Sequence, residues 1–323
     1  MRETKFDFFK YKALALSVSA LVISAGLVSL VVKGGPNYGI DFSGGSLVQL
    51  QFEKPVVVQA VRDALRGTAH ETAIIQRFGE ENEVLVRSTG EVQEETDGEE
   101  SAGDANAAAK EIEASLKNAF TDNPFQIRRV EMVGPQVGKD LRMSAVWAIL
   151  ATTAGLLIYI TLRFEFSFGV AAIMALVHDT LVTVGVFSLL NKEFNLPIVA
   201  AVLTIIGYSL NDTIVIFDRV RENLRPMRTK SRAEILNRSI NQTLSRTLLT
   251  ALTVLVVVVA LFAFGGPVIH DFAFALIVGT IAGTYSTVYI ASPILLFWEA
   301  RFGTKKGTKD GKTAADRTEA ARA

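Results

Sequence analysis

The chain has 323 residues, of which 50% are hydrophobic, and its formal net charge is zero, so bulk charge points to no acidic or basic partner. It contains no cysteine, which excludes disulfides, thiolate metal sites and cysteine nucleophiles. Its three histidines (His70, His178, His270) show no metal-ligand spacing, and no pattern calls for a cofactor.

The apolar residues are gathered into runs close to the ~20 needed to cross ~30 Å of hydrocarbon. The chain opens with a basic stretch, 1–12, carrying Arg2, Lys5, Lys10 and Lys12. A first span at 13–32 follows; it is too long for a signal-peptide core, and no small-x-small site closes it. Gly34-Gly35-Pro36 ends it.

Residues 33–141 are then expected to form a separate α+β domain. Residues 46–52 alternate apolar and polar with the period of a strand. Residues 56–66 place Val57, Ala60, Val61, Ala64 and Leu65 on one helical face, and Gly67 stops that helix. Strands are predicted at 73–78, 83–88 and 125–133, and a second helix at 105–120 with Asp104 as N-cap. The order β-α-β-β-α-β is the split βαβ of ferredoxin-like folds. The segment 91–104 holds seven acidic residues and no Lys or Arg, and reads as a solvated, disordered insert.

Two glycine motifs flank this domain. Gly39-Ile-Asp-Phe-Ser-Gly-Gly45, with Asp41, Gly44 and Gly45, permits positive φ and close backbone approach. Gly134-Pro-Gln-Val-Gly-Lys-Asp140 lies before the second span. Neither has the spacing, lysine and hydroxyl of a phosphate loop. No nucleophile–base pair or nucleotide loop supports an enzyme.

Residues 142–298 carry the remaining five spans, at 143–162, 167–190, 196–217, 247–264 and 272–298. A basic loop at 218–246 joins the fourth and fifth, and 299–323 is a basic tail expected to be disordered. The Lys/Arg bias puts both termini and the 218–246 loop on one side, the cytoplasm, with 33–141 outside. The basic loop lacks aromatic interleaving, so it reads as a topology signal and lipid-headgroup contact, with no nucleic-acid role. In the sixth span Ala275, Gly279 and Gly283 form a stripe of small residues that lets another helix come close.

Two spans carry ionisable groups. In the fourth, Asp212 lies about 9 Å inside the cytoplasmic edge. A carboxylate there costs about 2.5–3.5 kcal/mol on insertion scales and persists only if paired, hydrated or protonated. Tyr208, Ser209, Asn211 and Thr213 are its polar neighbours, and Arg246, at the start of the fifth span, is within reach as a partner. Asn211, Ser209 and Thr213 read as interhelical glue, Asp212 as functional. His178-Asp179 forms a second polar pair near the middle of the third span, either glue or part of a proton path.

These residues carry a resemblance. Gly39–Gly45, Val133-Gly-Pro-Gln-Val-Gly138, Ala175-Leu-Val-His-Asp179, Ile206-Gly-Tyr-Ser-Leu-Asn-Asp-Thr-Ile-Val215 running into Asp218-Arg-Val-Arg-Glu-Asn223, Ser245-Arg-Thr-Leu248 and Phe264-Gly-Gly-Pro267 together resemble the SecD/SecF family, on its SecF side, over nearly the whole chain. The acidic stretch 91–104 departs from the family pattern, and no function is carried onto it. The resemblance implies half of an RND-superfamily (resistance–nodulation–division) bundle, completed by SecD to a twelve-helix unit in the bacterial inner membrane. It implies no catalytic activity, but use of the proton motive force in late steps of protein export, with SecYEG, indirectly SecA, and the exported polypeptide as partners. By position, Asp212 matches the family's proton-linked aspartate and Arg246 the arginine near it. An RND-type small-molecule exporter and a purely structural assembly factor are the rival readings.

Overall fold

A computed structural model describes residues 4–88 and 101–302. Among them are six helices, or helix runs, long and apolar enough to cross a membrane. The first, α1 (Lys12–Val32), has no charge beyond Lys12 and ends where Gly34 and Gly35 take φ of 75° and 132°. One helical turn, α2 (Ile40–Ser43), then leads into the small domain.

The domain is built from β1 (Gly45–Phe52), α3 (Val58–Ala64), β2 (Ile74–Arg77), β3 (Glu83–Ser88), α4 (Ser101–Ala119) and β4 (Phe125–Val133). All neighbouring strands are antiparallel, in the order β2-β3-β1-β4. This is the ferredoxin-like arrangement expected from the element order. The alternation of β1 turns Val48, Leu50 and Phe52 inward, the first two in register with Val86 and Val84 of β3. They meet Val61 and Leu65 near α3 and Ile112 and Leu116 of α4 in one apolar core.

The bundle continues with α5 (Pro135–Arg163), α6 (Phe166–Leu189), α7 (Leu196–Leu224) and α8 (Arg232–Phe264). The last span is α9 (Gly266–Ser286), a π-helical segment Thr287–Ala291 and α10 (Ser292–Phe302). Ser292 Oγ donates to the Thr287 carbonyl at 3.1 Å inside this wide turn. Only α6, α7 and the last span, Gly266–Phe302, are about half buried within the chain; α5 has 6% of its most apolar window buried, so its sides face lipid or another chain.

Several boundaries differ from the sequence expectation. The basic loop 218–246 is mostly helix: α7 runs on to Leu224 and α8 starts at Arg232, leaving a turn of 225–231. Arg219 pairs with Glu222 along α7 at 2.8 Å, and Ser231 and Glu234 form a capping box at the start of α8. The second span begins at Pro135, inside the stretch assigned to the domain, because proline suits a first helical turn. Asp104 is no N-cap: α4 starts at Ser101, drawn back by an alanine-rich run. The insert's residues 91–100 and the tail from 303 lie outside the described residues; before it, helix continues through 299–302.

The segment before α1 is also engaged. Asn241 and Asn237 of α8 accept from the amides of Phe6 and Phe8 at 2.9 and 3.0 Å and donate back to the Phe6 carbonyl. Phe8 enters the bundle core.

Candidate functional site

Three places gather the polar and glycine residues of interest. The first is the seam between domain and bundle. Gly39 N donates to the Phe194 carbonyl at 2.9 Å, and Phe194 N donates to the Asn37 carbonyl at 2.7 Å. Asp41 Oδ2 accepts the amide of Leu196, the first residue of α7, at 2.9 Å. A carboxylate suits that helix end, where free N–H groups and the dipole favour negative charge. The two glycine motifs pack on one another. A Cβ on Gly138 would lie 3.0 Å from Gly44 N and 3.2 Å from the Phe42 carbonyl carbon; Gly44 has φ +73°, and a Cβ there would lie 2.9 Å from Pro135 Cα. Gly45 follows with φ 118°.

Arg87 fixes the same seam from the sheet. Its side chain is 4% exposed, pairs with Glu193 at 3.1 Å and donates to the Tyr38 carbonyl at 2.9 Å. Gln76 donates to the same Glu193 oxygen at 2.6 Å. Gly79 leans on Pro267, at the start of α9.

The second place is Asp212. Its residue is 2% exposed, and Thr250 Oγ1 of α8 lies 3.4 Å from Oδ1. Among the described residues Oδ2 has no hydrogen-bond partner. Arg246, one turn before Thr250, acts on Asp212 through its charge but forms no ion pair with it among the described residues. The arginine is exposed and lines a cavity of about 460 Å³ at the end of the bundle away from the domain, with Arg163, Asp218, Glu222 and Gln242.

The third place is the His178–Asp179 pair, which stays apart from Asp212. Asp179 is 1% exposed. Its Oδ1 lies 2.9 Å from His178 Nδ1, and its Oδ2 accepts from Ser209 at 2.6 Å and Ser286 at 2.8 Å. His178 Nε2 lies 3.0 Å from Ser19 Oγ on α1, which is 3.0 Å from Tyr285 Oη on α9. The cluster therefore ties α1, α6, α7 and α9 together.

Of the polar neighbours expected around Asp212, Ser209 thus turns to Asp179. Thr213 meets Thr287 of the π segment at 3.2 Å. Tyr208 buries its hydroxyl, while Asn211 is exposed on the same side of α7 as Thr204 and Gly207. Gly279 abuts the Ile205 side chain, and a Cβ on Gly283 would lie 3.0 Å from Ser209 Cβ, so the small-residue stripe of α9 holds α7 at close range. Sequence reasoning missed Ser19, Tyr285, Thr250 and Arg87. For the first three, a polar side chain within an apolar span was the available signal.

Comparison with known proteins places this geometry. The family model for the SecD/SecF protein export membrane protein C-terminal region matches residues 111–301, and the SecD/SecF GG motif model matches 28–56. The protein translocase subunit SecF of Desulfurispirillum indicum is 43% identical over 91% of this chain and 92% of its own length. That of Magnetococcus marinus is 44% identical over 93% and 94%. The crystal structure of SecDF from Thermus thermophilus, a translocon-associated membrane protein, superposes with a TM-score of 0.80 at 36% identity over 93% of this chain. SecDF in a super-membrane-facing form gives 0.64 at 35% identity. The chain spans 39% and 41% of these two solved chains.

Proposed function

Because the chain belongs to the SecD/SecF family of protein export membrane proteins, a family of multi-pass membrane proteins, we propose that it serves Sec-dependent export as the SecF-type half of a SecD–SecF complex. It works in the bacterial inner membrane, with both ends in the cytoplasm and the ferredoxin-like domain in the periplasm. The lysines and arginines concentrated at the α7–α8 end support that orientation. A SecD-type chain supplies the other half of the bundle. The exposed polar face of α7 at Thr204, Gly207 and Asn211 supports this, since such a face is costly against lipid and calls for a covering helix.

The complex uses the proton motive force to promote late export steps, after SecA and SecYEG have started them, and its outer domain engages the emerging polypeptide. The observation that carries this reading is the buried Asp212, whose Oδ2 has no hydrogen-bond partner among the described residues. An ionised carboxylate so placed lacks most of the donors it needs; a protonated one is far less costly. Asp212 takes a proton from outside and releases it towards the cavity that Arg246 lines. When Asp212 is ionised, the exposed Arg246 swings to it. The change of one charge in a low-dielectric bundle biases a two-state helix arrangement, and α7 passes it to the domain.

The test is export of a secreted reporter in cells depleted of the native subunit and expressing Asp212→Asn. Membrane level and SecD association of the variant are checked. The reading expects normal insertion with export lost as in the depleted cells. Export restored to the wild-type level would make Asp212 structural and leave a scaffold role as the better account.

A further inference from the structure

The His178–Asp179 cluster lies apart from the Asp212 site, and its hydrogen atoms can be counted. Tyr285 Oη lies 2.5 Å from the Ala15 carbonyl. A carbonyl oxygen only accepts, so the single phenol hydrogen points there. Ser19 Oγ is 3.0 Å from the same phenol oxygen, so the serine is the donor in that contact. Its single hydrogen is then committed, and His178 Nε2, 3.0 Å from Ser19 Oγ, must carry a hydrogen of its own.

That leaves Nδ1 facing Asp179 Oδ1 at 2.9 Å. A neutral imidazole protonated on Nε2 presents a lone pair at Nδ1, and an ionised carboxylate presents only lone pairs. Two lone pairs at that separation repel. The hydroxyls of Ser209 and Ser286 are directed at Oδ2 and do not relieve Oδ1. One further hydrogen has to lie between ring and carboxyl.

We propose that His178 and Asp179 together form a second proton-binding site, which holds one proton between Nδ1 and Oδ1 in the helix packing described here. The pair is neutral overall whether the proton resides on the imidazole or on the carboxyl, which is how it can be buried without a counter-ion. The groups that face it are Ser19 from α1, Ser209 from α7, and Ser286 and Tyr285 from α9. Tyr285, whose ring also stacks on His178, is the one titratable group among these; the ionisable groups of α7 nearest to Ser209 are Tyr208, adjacent to it, and Asp212, one turn beyond. Loss of the proton would oblige Tyr285 to leave the Ala15 carbonyl and turn its hydrogen to Ser19, so occupancy of the site is tied to the contact between α1 and α9.

The test uses the full chain, labelled with ¹⁵N in its histidine rings and reconstituted in lipid vesicles with an unlabelled SecD-type partner. His70→Gln and His270→Gln leave His178 as the single histidine. Solid-state nitrogen NMR at neutral pH should show Nε2 bearing hydrogen. It should be accompanied either by a protonated Nδ1 or by the infrared carbonyl band of a protonated carboxyl that disappears in Asp179→Asn. A wild-type ring carrying a single hydrogen, with no protonated carboxyl, would overturn the proposal. Neither readout depends on export, so failure here is separate from failure of the Asp212 reading.

Discussion

The crossing of α1 and α6 offers the sharpest quantitative test of the packing. Gly26 and Gly185 meet there with no side chain between them; a Cβ on Gly26 would lie 2.5 Å from Gly185 Cα. Carbon atoms at rest sit about 3.5–4.0 Å apart, so Gly26→Ala has to separate the two helices by about 1–1.5 Å. Backbone on both sides leaves no flexible side chain to yield. One turn along, Ser29 and Ser188 hydrogen-bond at 2.8 Å, and Lys33 reaches the Ser188 carbonyl at 2.5 Å. A separation of that size takes the serine pair beyond hydrogen-bonding range, and strains the Ser19–His178 contact two turns the other way. With membrane hydrogen bonds worth about 0.6 kcal/mol each and the lost close packing added, the variant should be destabilised by about 2 kcal/mol. Unfolding in mixed micelles, with Gly155→Ala as control, measures this, since a Cβ on Gly155 meets nothing within 4 Å. If the two variants unfold within about 0.5 kcal/mol of each other, the steric reasoning fails.

The seam between domain and bundle gives a double-mutant cycle. Arg87→Leu strands Glu193, which keeps Gln76 as its polar partner among the described residues, and should cost about 2 kcal/mol; adding Glu193→Gln should recover most of it, read as protease resistance of the domain. In the cysteine-free chain, Ser29→Cys with Ser188→Cys should form a disulfide under mild oxidation, because the hydroxyl oxygens already lie 2.8 Å apart. Ser17→Cys with Ser188→Cys should not, and thiol-alkylation mass shifts distinguish the two.

The spans and the domain were legible because their signals are local. A charge-free apolar run and a period-two strand are set by neighbouring residues, and the antiparallel order followed from the element sequence. The ends of α7 and α8 were not legible, because Lys/Arg density marks a membrane side without saying whether the backbone there is helical. Arg87 was hidden for a related reason. In β3 it sits between the inward Val86 and Ser88 and so reads as solvent-facing, yet the α6–α7 turn covers it with Glu193. The polar residues inside the spans announced themselves as costly, but sequence spacing grouped Ser209 with Asp212 on one helix. Its partner is Asp179 on another, and nothing local encodes that. The π segment was equally silent: its wide turn is visible only through the Ser292–Thr287 bond and the facing of Thr287 with Thr213.

The Asp41 bond to the first amide of α7 has a mechanical consequence. Unbroken helix joins that amide to Asp212, about 24 Å away along the axis. The two carboxylates therefore sit at the tip and partway along a single lever arm. A tilt of about 5° around Asp212 would carry the tip through about 2 Å. Asp41, Gly39 and the Phe194 pairing hold the sheet to that tip, so a displacement too small to open a bundle would still move the sheet.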